Sequence, residues 1–114
     1  MSSNSVDPIG SFLKENNPQF FKESKKYPLI IKFSANWCPP CRQLQEEINK
    51  FLQLPENKDL LFLEIDVEKH SSLAQKLNIM SIPTTFLFFQ EKVIKDPQVG
   101  KMDLSQLREF VKTN

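Results

Sequence analysis

Little in this chain suggests a partner chosen by bulk charge or by greasiness. Its formal net charge is only +1 although charged residues fill 25% of its 114 positions, which excludes a polycationic nucleic-acid binder. The 39% of hydrophobic residues in turn excludes a disordered chain. No apolar stretch reaches membrane-spanning length, and the opening MSSNSVDPIG lacks both the basic flank and the apolar run of a signal peptide. A soluble, cytoplasmic protein made without a secretory signal is therefore expected, one that binds neither nucleic acid nor membrane. Internal repeats, glycine-serine linkers and low-complexity blocks are also missing. At this length the expectation is one domain over residues 1–114, loosely ordered at residues 1–8. Histidine occurs once and cysteine twice. With so few soft ligands no zinc site is expected, and His70 reads as a solvated residue at a helix start.

What the chain does have is both cysteines together, in SANWCPPC at residues 34–41. A reducing compartment makes a permanent structural disulfide a poor explanation, so the pair needs another. Apolar patterning shows where it sits. The runs PLIIKF from Pro28 and LLFLEIDV from Leu60 are short and β-rich, and their continuity predicts strands buried on both faces of a parallel or mixed sheet. From Thr84, TTFLFFQEKVIKDPQV reads as two further strands joined by a tight turn near Gln90 and Glu91. Between these lie helical patterns. SFLKENNPQFFKESKK is helical with an interruption at Pro18, and a helix after Pro40 buries Leu44, Ile48 and Phe51 or Leu52 until Pro55. A short helix at 71–77 faces inward through Leu73, Ala74 and Leu77. A last one opens on the Asp103 and Gln106 capping box and buries Leu104, Leu107, Phe110 and Val111. Helix-separated strands imply crossovers and a parallel part, and the hairpin adds an antiparallel part. The predicted fold class is α/β, with a central mixed sheet of four or five strands flanked by helices.

In that order Cys38 falls just after the strand that begins at Pro28, at the first turn of the next helix, with Cys41 inside that turn. Orphan amides and the positive end of the helix dipole favour a thiolate at Cys38. Residues three apart on a regular helix hold their Cβ atoms about 5–6 Å apart. A disulfide needs about 3.5–4.5 Å, so the pair closes only because Cys38 sits at the pliable end. Pro39 and Pro40 are tolerated there, since a first-turn N–H has no intrahelical partner to lose. They restrict the dithiol and leave the N–H of Cys41 as the nearest backbone donor to Cys38.

FSANWCPPC, followed about forty residues later by SIPT (81–84), the hairpin, Val99–Gly100 and a terminal helix, resembles the thioredoxin family over roughly residues 10–112. The resemblance implies a thioredoxin fold and a protein-disulfide reductase. Cys38 matches the exposed nucleophile and Cys41 the resolving thiol of dithiol exchange, with no metal or organic cofactor. It implies a cis Ile82–Pro83 bond opposite the cysteines and a substrate chain pairing with the backbone at Ile82. Trp37 matches a residue that shields the sulfur, and Gly100 a glycine that leaves the substrate groove open. Implied partners are disulfide-containing target proteins and a thioredoxin reductase or small dithiol reductant, acting on a monomer.

Some residues depart from the family. Its usual buried aspartate six residues before the first cysteine is here Lys32, on the strand face shared with Ile30 and Ser34. A charged lysine would favour thiolates and a more oxidising pair, a neutral one could act as a base toward Cys41, and Glu64 could simply neutralise it. WCPPCR, with Pro39 in place of glycine, resembles tryparedoxins and nucleoredoxins, and Glu46 replaces a kinking proline, which predicts a straighter helix. SVDPI is a poor leading strand. Two alternatives to a reductase stay open: an oxidase or isomerase, and a redox-regulated peptide-binding module.

Overall fold

The computed structural model describes residues 7–114. The first helix, α1, runs Pro8–Asn16 and restarts after Asn17 as α2, Pro18–Glu23, because proline supports a first turn and not a helix interior. Asp7 caps α1, its Oδ1 accepting the N–H of Ile9 at 3.0 Å. The loose start expected for residues 1–8 is thus corrected at residues 7 and 8, which begin a capped helix; residues 1–6 lie outside the described residues.

Strand β1, Leu29–Ser34, is buried along its whole length. It pairs in parallel with β2, Leu61–Asp66, and antiparallel with β3, Thr84–Phe89. Two short strands complete the sheet on β3: β4, Lys92–Val93, and β5, Gln98–Val99. The sheet therefore has five strands, within the expected four or five, but the segment read as two strands forms three. The turn at Gln90 and Glu91 has φ of 55° and 71°, the left-handed pair that a two-residue hairpin needs, here without glycine. β2 differs from expectation. It is an edge strand with half-buried Leu61, Phe62 and Leu63 and an exposed Glu64, because only one of its sides has a neighbour.

The α3 helix, Pro39–Leu52, runs unbroken through Glu46, and α4, Ser71–Lys76, and α5, Leu104–Phe110, follow. α5 starts on the reciprocal box in which Asp103 takes the Gln106 N–H and Gln106 takes the Asp103 N–H, each at 2.8 Å. Such a cap contributes about 1 kcal/mol. Alternation along β1 divides the interior. Leu29, Ile31 and Phe33 pack with Ile9, Leu13, Ile65, Leu73, Phe86 and Phe88. Ile30 faces the opposite way, with Leu44, Ile48 and Phe51 of α3, Leu87, and Leu107 and Phe110 of α5. The face that carries Lys32 and Ser34 is therefore the one α3 covers. No helix among the described residues is long and apolar enough to cross a membrane.

Candidate active site

The chain leaves β1 at Ser34 and enters α3 through Cys38, which is the N-cap: its backbone is extended, at φ −95° and ψ 105°, while the next residue is helical. Pro39 and Pro40 occupy the first turn, exposed, where they cost no intrahelical bond. The first amide able to turn back toward the cap is that of Cys41, and it donates to Cys38 Sγ at 3.2 Å. The two sulfurs are joined in a disulfide, with Cα atoms 5.2 Å apart. Both cysteines are 2% exposed. The exposed nucleophile implied for Cys38 is thus corrected: the asymmetry between the thiols lies in the cap position and not in solvent access, because the loop at Ile82 closes over the sulfur.

That loop carries the Ile82–Pro83 peptide bond, which is cis. The Ile82 carbonyl oxygen lies 3.9 Å from Cys38 Sγ. Two further bonds hold the loop in place. Gly100 donates its N–H to the Pro83 carbonyl at 2.9 Å, and the Thr84 hydroxyl donates to the Ser81 carbonyl at 2.6 Å. Gly100 sits at φ +94°, and a Cβ there would meet nothing within 4 Å, so the backbone angle itself calls for glycine. Trp37 is exposed beside the pair, its indole N–H donating to Glu68 Oε2 at 2.8 Å.

Trp37, Met80 and Val99 are exposed large apolar side chains. Each belongs to a segment that builds the site: Trp37 precedes Cys38, Met80 lies two residues before Ile82, and Val99 pairs across the sheet with Thr84, next to Pro83. Shallow depressions of about 210 and 170 Å³ both include Ile79, Met80 and Ser81. A wider concavity, about 670 Å³, lies elsewhere, between α1 and the start of α4, and contains neither cysteine. His70 stands at the start of α4 there without a side-chain capping bond, and the solvated position expected for it is corrected to a half-buried one, because its ring packs edge-on against Phe12 at 5.0 Å. Among the described residues no group of three or more His, Cys, Asp or Glu side chains could hold a metal ion.

On the face of β1 that α3 covers, the Lys32 side chain is 1% exposed. Its Nζ lies 2.9 Å from Glu64 Oε2 and donates to Gln45 Oε1 at 2.8 Å. Ser34 Oγ donates to the same Glu64 oxygen at 2.6 Å. Glu64 was legible as a partner because it stands directly across the parallel ladder from Lys32. Gln45 and Glu68 were not singled out in the sequence; four-residue spacing from Cys41 could have found Gln45, whereas nothing local marks Glu68. Partial burial pushes the Glu64 carboxyl up, but hydrogen bonds from Ser34 and Lys32 and the Lys32 charge outweigh it and hold the group below its ordinary value of about 4.5. The sign follows from linkage: these contacts stabilise the fold fully above the unfolded value, and the contribution fades as pH falls through the lower folded value. A Glu64→Gln variant is expected to be less stable than the parent near neutrality, and the gap should narrow as pH falls below about 4.5, measured as urea midpoints across pH.

A sulfur that caps a helix, closed onto a second sulfur one turn along and covered by a cis-proline loop, defines the class of thiol–disulfide exchange sites on a mixed α/β sheet. Comparison with known proteins goes one step further. The Thioredoxin family model matches residues 11–113. A thioredoxin of Mycoplasmoides gallisepticum is 32% identical over 94 residues, covering 82% of this chain and 89% of that one. Human DnaJ homolog subfamily C member 10 is 31% identical over 105 residues, which cover 92% of this chain and 13% of that longer protein. The X-ray structure of Fasciola hepatica thioredoxin superposes with a TM-score of 0.72 at 23% identity, covering 86% of this chain and 90% of that one, a likeness in fold. The chain belongs to the thioredoxin family and has the thioredoxin fold. Membership together with the close cysteine pair points to a thiol–disulfide oxidoreductase.

Proposed function

We propose that the protein reduces disulfides of other proteins. The observation that carries this reading is the bond from the Cys41 N–H to Cys38 Sγ at the N-cap of α3, since the same donor and the helix N-terminus would steady a Cys38 thiolate. In the first step that thiolate attacks one sulfur of a target disulfide. The target S–S bond breaks, a Cys38–target disulfide forms, and the released target thiolate takes a proton from water. In the second step the Cys41 thiolate attacks Cys38 Sγ, the Cys38–Cys41 bond forms, and the second target thiolate leaves. Two electrons pass to the target. A thioredoxin reductase or a small dithiol returns them, so neither metal nor organic cofactor is required, and a monomer in a reducing compartment such as the cytoplasm suffices.

Target recognition follows from the same surface. An extended chain can pair with the backbone at Ile82 while its apolar side chains rest on Trp37, Met80 and Val99, which favours broad selection among peptides. The test is dithiothreitol-driven reduction of insulin disulfides by catalytic amounts of the protein. Turnover above the dithiothreitol background is the expected result. A folded protein that leaves insulin untouched would sink the reductase reading and favour a dedicated partner or the opposite redox direction.

The second reading, a more oxidising oxidase or isomerase, draws on the buried Lys32, whose charge would favour the dithiol in its thiolate form. A reduction potential measured against glutathione separates the two.

A further inference from the structure

Lys32, buried on the face of β1 that α3 covers, is bonded on two sides, and the two bonds are not equivalent. One goes to Gln45, on α3, four residues after Cys41 and therefore on the same helix face one turn away, with Cβ atoms roughly 5–6 Å apart on a regular helix. The other goes outward to Glu64, on the edge strand, whose side chain is 46% exposed against 1% for Lys32. Nζ and Oε2 are only 2.9 Å apart, but it is the ammonium and not the carboxylate that is bonded to α3, through Gln45. Solvent also screens the exposed charge more than the buried one. The field that reaches the first turns of α3 is therefore the positive member's, trimmed by Glu64.

We propose that Lys32 is a positioning residue for the resolving thiol: its buried ammonium holds Cys41 in the thiolate form that attacks Cys38, and Glu64 limits how far. This rests on the dithiol-exchange reading above. The step balances without a base in the protein. Cys41 gives its proton to water, its sulfur lone pair forms the bond to Cys38 Sγ, the target sulfur leaves with the electron pair, and Lys32 keeps all its protons. The charged groups around it act consistently. Asp66, two residues along β2, acts on Glu64 and works against its ionisation; Arg42 of α3 is turned outward, donating to the Asn36 carbonyl at 3.0 Å; Gln45 is neutral and fixed by its second bond, to Asn49 at 2.9 Å.

The test uses the full chain with Cys38→Ser, which leaves Cys41 as the sole thiol, and follows its ultraviolet thiolate absorbance across pH. Adding Lys32→Met should raise the titration midpoint by about one pH unit or more. Adding Glu64→Gln should lower it, because the ammonium loses its counter-charge. Shifts of opposite sign are what a merely structural role would not produce. Shifts in the same direction, or none, overturn the proposal. Should Lys32→Met fail to fold by circular dichroism, Glu64→Gln decides alone, a downward shift supporting the proposal and any other result removing it. Insulin turnover by the unsubstituted protein is scored separately. Opposite shifts without turnover would keep the charge effect and reject the reductase, and turnover without shifts would do the reverse.

Discussion

A Cys41→Ser variant mixed with a disulfide-bearing protein is expected to accumulate a covalent adduct that dithiothreitol dissolves, whereas Cys38→Ser is expected to form none. Either substitution should bring insulin turnover down to the dithiothreitol background. The difference between them comes from the first turn of α3. Cys38 is the cap, with the N–H of Cys41 aimed at its sulfur from 3.2 Å and the orphan amides of the helix start around it. Replacing Cys41 removes a side chain and not that amide, so the donor that steadies the attacking sulfur survives. The mixed disulfide then forms and has no second thiol to release it. Non-reducing electrophoresis followed by mass spectrometry of the linked peptide reads the result. An adduct on Cys41 in the Cys38→Ser variant, with none on Cys38 in the other, would reverse the assignment of the two thiols.

The largest expected loss of stability is at Phe33→Ala. Phe33 is fully buried in the central strand, and its ring meets that of Phe86 edge-on, with centroids 5.5 Å apart and planes at 75°. Truncation removes a large apolar side chain from the cluster under α1, α2 and α4 and leaves a cavity that β1, pinned on both sides by ladders, is poorly placed to fill. Such changes cost about 3–5 kcal/mol, a sizeable part of the roughly 5–15 kcal/mol that holds a domain of this kind folded. Urea unfolding should show a much lower midpoint with little change in slope. A midpoint within error of the parent would mean that the core repacks around the site.

The central strand was legible because its alternation has consequences on both faces: Leu29, Ile31 and Phe33 had to share one side and Ile30, Lys32 and Ser34 the other, and each face is covered. The same logic misread LLFLEIDV. An apolar run looks alike whether a strand is flanked on both sides or on one, and only the topology places β2 at the edge. β5 escaped notice because two residues carry no period; what makes Gln98 and Val99 a strand is the register that brings them to Thr85 and Thr84. At the site, Cys38 and Cys41 stood out by residue type and spacing, Pro83 and Gly100 only through the resemblance to the family, and Lys32 by its departure from it. Glu68 stayed hidden since its link to Trp37 is made by a loop that follows β2, with a sequence separation of 31 residues. The low exposure of Cys38 was equally invisible, because it depends on a loop more than forty residues later.

The open side of β2 has a consequence for handling the protein. Among the described residues no strand meets its outer edge, and an uncovered row of amides and carbonyls invites a neighbouring molecule to extend the sheet. Two acids stand on that strand, Glu64 and Asp66, and their charges discourage the approach of an identical edge bearing the same charges. Glu64 thus serves as a guard against sheet-to-sheet stacking as well as a counter-ion to Lys32. Acid that protonates Glu64 would release the ammonium from its partner and weaken that guard at the same time, so loss of solubility and loss of the buried pair should travel together.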